Sequence, residues 1–394
     1  MTYPLTEYGF SRADVGLHNW RERPWNAWAF ERVGELVPAA QVIGAPSTAL
    51  PRAIDAGLLD QPFGPSRPGE SLAEYLEISQ TDHLLLSRNG RIIAEWHAPR
   101  AQAARPHLIF SVTKSVTALL LGVLEDNGAL DVSRAMADYI PETAQGAFGD
   151  ATVRDLLDMR VSLDFREDYL NRDGDYARYR RAMLWNPRED GDRQETLAQM
   201  LFTACKGAGP HGGPFHYQSP NSDVLGFLVE RVSGKSYADL LSEVFWQPLG
   251  CDHGLMTVDA AGNPRGAGGL CARGEDLMRL GQLILDGGAV GGRQLISERW
   301  LADIAENGDE AAWNSGNYHD WIPGGRYRSQ WYMLPRPSRA VMAIGIHGQW
   351  LCADPASGAV IVKLSSQAFP QDDTFDNANL ILMERLLGIA GRGG

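Results

Sequence analysis

Ser111-Val112-Thr113-Lys114, running into Ala118-Leu119-Leu120-Leu121, is the stretch on which the reading of this chain turns. A lysine three residues after a serine, at the start of an apolar helical run, shares a helix face with it. The ammonium can therefore reach the hydroxyl one turn back. A serine hydroxyl is a poor nucleophile until a neighbouring base takes its proton, and a desolvated lysine with a lowered pKa is such a base. Only four lysines occur in 394 residues (Lys114, Lys206, Lys235 and Lys363), so abundance does not explain this one. The same spacing also suits an ordinary surface helix, and the rest of the chain has to decide between the two.

Working outward, residues 83–96 alternate as a β-hairpin, with Asn89-Gly90 as its two-residue turn. The Ser111 helix should end near Asn127-Gly128. Thr152 with Asp155 three residues on marks another helix start. Residues 223–231 read as helical up to Ser233-Gly234, and Ser236 caps the next helix. Residues 341–346, 350–353 and 360–364 read as adjacent antiparallel strands, the last two joined by a turn over 354–358. An amphipathic helix over 377–387 closes the chain. The stretch to about residue 70 is rich in Trp and Pro and is expected to wrap the surface as helix and irregular coil. The order predicts an α+β fold: a sheet domain from 1–130 and 265–394, interrupted by a mostly helical domain over 131–264, with the site between them.

Composition narrows the function. The chain is 44% hydrophobic and 22% charged, with a formal net charge of −13. That argues against nucleic acid or an anionic membrane surface as the main partner, and leaves a small-molecule substrate open. The start has no basic segment followed by an apolar one, so a cytoplasmic location is expected. Cys205, Cys251, Cys271 and Cys352 form no Cys-x-x-Cys pair, and the histidines form no His-Glu-x-x-His; neither metal nor any other cofactor is expected. Gly207-Ala-Gly-Pro-His-Gly212 fits a dinucleotide-binding string but lacks the strand before it and the helix after it, and is read as a loop. Gly234-Lys235-Ser236 is read as helix punctuation.

Tyr217, in Phe215-His-Tyr-Gln-Ser-Pro-Asn-Ser-Asp223, is the second chemical candidate. A lone tyrosine is most often a core residue. Beside a lysine and a serine, its phenol can hand protons to and from an acyl-transfer reaction. With these motifs together, the chain resembles the serine β-lactamase and DD-peptidase superfamily, nearest its class C and esterase branches. Thr152-Val-Arg-Asp-Leu-Leu157, the Tyr217–Gly226 stretch, Gln247-Pro-Leu-Gly250, residues 268–277 and Asp354-Pro with residues 360–363 are similar to its landmarks, in order, over roughly 80–390. Within it the chain most resembles the 6-aminohexanoate-dimer (nylon-oligomer) hydrolases, through Trp25-Asn-Ala-Trp-Ala-Phe30, Leu36-Val-Pro38, Glu167-Asp-Tyr169, Arg328-Ser-Gln-Trp331 and Gly345-Ile-His-Gly-Gln349.

The resemblance implies Ser111 as nucleophile, Lys114 and Tyr217 as its proton partners, and the backbone N–H groups of Ser111 and Ile346 as an oxyanion hole. It implies Tyr169 on a mobile loop and Trp331 as substrate-contacting walls, and a homodimer. Two departures stand out. Residues 171–186 match the family poorly, which leaves Asp173 and Asp175 only as candidates for binding a substrate amine. The superfamily's Lys-Thr-Gly box has no lysine here; His347 is the candidate replacement, with a backbone-bonded strand-end histidine as its plain reading. The expected activity is hydrolysis, through an acyl-enzyme, of linear amides of the 6-aminohexanoate type and of short-chain esters, with Lys114 or Tyr217 as base. The alternatives are a class C-like carboxylesterase without amidase activity, a β-lactamase or DD-peptidase, and a non-catalytic binding relative.

Overall fold

A computed structural model describes residues 4–5, 7–46, 48–189, 191 and 193–392. The reading of the chain start lies partly outside them, at Met1–Tyr3 and Thr6. The central element is a seven-stranded antiparallel sheet. Its order is Arg326–Arg328, Trp331–Met333, Val341–Gly345, Gln349–Asp354, Ala359–Ser365, Thr81–Arg88, Arg91–His97. Early and late segments meet where Ala359–Ser365 pairs with Thr81–Arg88, so the sheet closes only after the middle of the chain has been threaded elsewhere. The hairpin turn is where the sequence places it, with Asn89 and Gly90 both at positive φ, 50° and 74°.

Both faces of this sheet are covered, which is why its inner strands are apolar at consecutive positions rather than alternating. Val360, Val362 and Leu364 point to one core, shared with the helices Val112–Asp126 and Gly274–Leu285. Ala359 and Ile361 point to a second core, under the helix Asp373–Gly391. That closing helix is longer than its periodicity suggests, because Asp372 caps it by accepting from the N–H groups of Thr374 and Phe375. Thr152 and Asp155 form the expected capping box on Val153–Leu157. Gly234, at φ 67°, ends Pro220–Ser233, and Ser236 caps Tyr237–Leu241.

The N-terminal stretch corrects its expectation. Trp20 and Trp28 are fully buried rather than superficial, and Ala39–Val42 is a strand. It pairs with Gly254–Thr257 in a four-stranded sheet completed by Leu270–Ala272 and His107–Leu108. Large aromatic rings bury more apolar area than any other side chain, and here they draw the segment into the core. Among the described residues, no helix is long and apolar enough to cross a membrane.

Candidate active site

The chain enters the Val112–Asp126 helix from the strand His107–Leu108 through Phe110, a non-glycine residue at φ 44°. Such a conformation costs of order 1–3 kcal/mol and persists only where the surroundings enforce it. Ser111 sits at the helix N-cap, where a serine side chain ordinarily accepts an N–H from the first turn. Its backbone is helical instead (φ −66°, ψ −8°) and its side chain makes no cap bond. The hydroxyl is thereby left for Lys114, whose Nζ lies 2.7 Å from Ser111 Oγ.

Lys114 is 2% exposed and has no carboxylate within ion-pairing distance among the described residues. Its second polar contact is the carbonyl of Ala267, at 2.7 Å. Burial without a counter-charge pushes its pKa down to about 7; Glu167 opposes the shift and Arg265 adds to it. The Nζ also stands 5.0 Å from the centre of the Tyr217 ring. Burial holds the Tyr217 phenol well above its ordinary value, Glu167 pushes the same way, and a hydrogen bond with Ser111 weighs against them. Tyr217 stacks on Tyr318 at 5.3 Å between ring centres, and its N–H donates to Asn317 Oδ1.

A cleft of about 420 Å³ opens in front of these groups. Its walls include Tyr169, Tyr217, Tyr318, Trp321 and Tyr332, with Gly345 and Ile346 along one edge. Ser111 adjoins that edge: a Cβ on Gly345 would lie 3.0 Å from the Ser111 nitrogen, so only glycine lets the strand come this close. Among the described residues, neither the Ser111 nor the Ile346 backbone N–H donates to a protein acceptor. Asp320, Asp373 and Asp376 also line the cleft, and among the described residues no Lys or Arg does. Burial raises the Asp376 carboxyl to about 6.

Ser111, Lys114, Tyr217, Ile346 and Tyr169 are thus brought together as expected. Three other expectations are corrected. Trp331 does not line the cleft. It is fully buried on the opposite face of its strand, beside Leu301 and Val341, and its neighbour Tyr332 forms the wall. His347 is no substitute for the missing lysine. Its Nδ1–H donates to the Gln367 carbonyl at 2.7 Å, Phe30 and Phe110 pack on its ring, and burial holds its pKa down to about 3. Asp173 and Asp175 are exposed and away from the cleft, whose carboxylates come from residues 320, 373 and 376.

Glu167 is the residue that sequence reading passed over, although it stands in the quoted Glu167-Asp-Tyr169. It accepts the hydroxyls of Tyr169 and Ser219, both at 2.6 Å, and the Ser219 N–H. It therefore ties the wall residue Tyr169 to the segment carrying Tyr217. Among the described residues, no group of three or more His, Cys, Asp or Glu could hold a metal ion.

This fold, with a serine and a buried lysine one turn apart beside a cleft, defines a serine hydrolase, and the chain belongs to the β-lactamase family, whose model matches residues 80–383. It is 34% identical, over 377 residues, to the 6-aminohexanoate-dimer hydrolase of Paenarthrobacter ureafaciens, covering 94% of this chain and 93% of that one. A Bacillus anthracis structure, assigned provisionally as a 6-aminohexanoate-dimer hydrolase, superposes with a TM-score of 0.87 at 24% identity, covering 96% of this chain and 98% of that one. A family VIII carboxylesterase shares the fold more distantly, with a TM-score of 0.57 at 16% identity over 79% of this chain and 94% of that one.

Proposed function

We propose that the protein hydrolyses linear amides of the 6-aminohexanoate-oligomer type, and short-chain carboxyl esters, through an acyl-enzyme on Ser111. The observation that carries the reading is the 2.7 Å contact between Ser111 Oγ and a buried lysine at the edge of an aromatic cleft. Ser111 Oγ attacks the carbonyl carbon while Lys114, in the unprotonated form that its lowered pKa makes accessible, takes the hydroxyl proton. Burial disfavours a phenolate at Tyr217, which favours Lys114 as the base of this step. The N–H groups of Ser111 and Ile346 receive the oxyanion, at about 3 kcal/mol per donor in comparable sites. The proton passes by way of the Tyr217 phenol to the leaving nitrogen, the C–N bond breaks, and the amine departs. Water then attacks the ester, Lys114 takes its proton, and the acid and free serine are released.

The cleft favours a substrate whose acyl half ends in an ammonium over one whose acyl half carries an anionic group. Among the described residues its walls offer carboxylates and aromatic rings, and no Lys or Arg to receive an anionic group. An acyl half made of a methylene chain ending in an ammonium fits both features. Residues 111, 114 and 346 come from the proposed sheet domain, and 169 and 217 from the proposed helical one, so the chemistry would take place between the two.

The test compares kcat/KM on the 6-aminohexanoate linear dimer, p-nitrophenyl butyrate and nitrocefin. Turnover of the first two without the third is expected. Ester turnover alone would leave a carboxylesterase, and nitrocefin turnover would make it a β-lactamase.

A further inference from the structure

Lys114 has a second acceptor, the Ala267 carbonyl, and the turn that presents it is held from several sides. Gly268 and Gly269 donate their N–H groups to the Arg265 carbonyl, at 3.0 and 2.8 Å. Thr117, one turn beyond Lys114 on the same helix, donates its hydroxyl to the Gly266 carbonyl at 2.9 Å. Gly266 lies so close to the helix Pro220–Ser233 that a Cβ there would stand 2.9 Å from Gly226 Cα. The Ala267 N–H donates to Asp223 Oδ1 at 2.8 Å. The other Asp223 oxygen receives the Arg265 guanidinium and the Tyr179 hydroxyl. Arg265 also donates to Tyr179 Oη at 2.9 Å, with its guanidinium over the Tyr179 ring.

Asp223, Arg265 and Tyr179 are all buried. A buried ion pair is weak evidence of added stability, because desolvation offsets much of the attraction. This one sits directly behind the residue that holds Lys114. A neutral amine has two N–H groups and one lone pair. A carbonyl can only accept, so the Ala267 oxygen takes an N–H and leaves the lone pair free to face Ser111 Oγ. The charged and titratable groups around Lys114 are Ser111 on its own helix, Glu167 from the 164–170 segment, Tyr217 before the Pro220 helix, and Arg265 from the turn. Asp223 is the counter-charge of Arg265.

We infer that Asp223 and Arg265 are positioning residues for Lys114: Asp223 fixes the Ala267 peptide that orients the amine, and the balance of the pair's two charges sets how tightly that amine holds its proton. The inference deepens the reading of Lys114 as the base, and its test is separable from that reading.

With four lysines in the chain, a 13Cε-lysine-labelled full-length protein gives a simple spectrum, and Lys114→Met assigns the relevant signal. Arg265→Met leaves an uncompensated carboxylate behind the amine and should raise the Lys114 midpoint by about 1 pH unit. Asp223→Asn leaves an uncompensated guanidinium and should lower it by a similar amount. The double variant should return to within about half a unit of the wild type. Arg265→Lys keeps the charge and should hold the midpoint, which preserves the test should Asp223→Asn fail to fold. A purely structural pair would not give shifts of opposite sign. Folded variants with an unmoved midpoint, or both single variants moving it the same way, would overturn the inference. Should the Lys114 signal move as expected while the acid limb of kcat/KM on p-nitrophenyl butyrate stays put, the positioning stands and Lys114 is not the base.

Discussion

Two serine–lysine pairs lie in the interior of this protein, and they differ in what surrounds them. Lys114 Nζ is 2.7 Å from Ser111 Oγ, and Lys363 Nζ is 2.7 Å from Ser365 Oγ. Both amines are buried, and burial pushes both down to about 7. The first pair is spaced by three on a helix, the second by two on a strand, and each spacing puts its members on one face. Ser111, however, adjoins the cleft, with a phenol beside it and two N–H groups that have no acceptor among the described residues. Ser365 is fully enclosed, and its own N–H is committed to Gln349 Oε1. A lowered lysine pKa therefore marks burial in both places and reactivity in one. What separates them is access for a carbonyl and donors to receive its charge.

The comparison is broken most severely at the serines. Ser111→Ala should lower turnover of p-nitrophenyl butyrate by at least about a thousandfold, while Ser365→Ala should stay within a few-fold of the wild type. Comparable losses in both variants would erase the distinction. Next come the lysines. Lys114→Met should cost roughly 10²–10⁴ in kcat/KM through loss of the base, and Lys363→Met should leave kcat/KM nearly unchanged.

Tyr217→Phe sharpens the account of the first pair. Amide turnover should fall by about 10²-fold or more, and p-nitrophenyl ester turnover by less, because p-nitrophenolate leaves without a proton. Equal losses on both substrates would remove the phenol from the role of proton donor.

A smaller effect concerns stability. Between about 7 and the ordinary lysine value of 10.5, the unfolded chain binds a proton at position 363 that the folded protein does not. Stability should therefore rise with pH across that window and be lowest, for this group, below it. Lys363→Met should flatten that part of the urea-unfolding profile and raise stability at pH 7 by about 1 kcal/mol. An unchanged slope would mean that Lys363 titrates normally.

The smallest shift is expected from Glu167→Gln. Glu167 helps Lys114 keep its proton, so its loss should move the acid limb of kcat/KM to lower pH by less than about one unit. An upward shift would contradict the electrostatic account.

The parts of this arrangement that were legible in the sequence are the local ones. Ser111 and Lys114 are separated by a single helical turn. The Thr152–Asp155 box, the Gly234 stop and the Asn89-Gly90 turn each depend on a few adjacent residues. What was hidden depended on distant partners. In the three-residue strand Trp331–Met333, both faces are buried, so nothing in the pattern says whether Trp331 or Tyr332 faces the cleft. His347 is neutral because Phe30 and Phe110 arrive from other parts of the chain to cover it. The cleft's carboxylates were sought in the loop after Tyr169, whereas Asp373 and Asp376 are delivered by the first turn of the closing helix. Ala39–Val42 became a strand only by pairing with Gly254–Thr257, more than two hundred residues away.

The most direct measurement is covalent labelling with a fluorophosphonate probe, followed by peptide mapping. The account predicts one phosphonylated serine, Ser111, with labelling lost or greatly slowed in Lys114→Met and unaffected in Lys363→Met. An active enzyme that takes up no label, or carries it on any other residue, would contradict it.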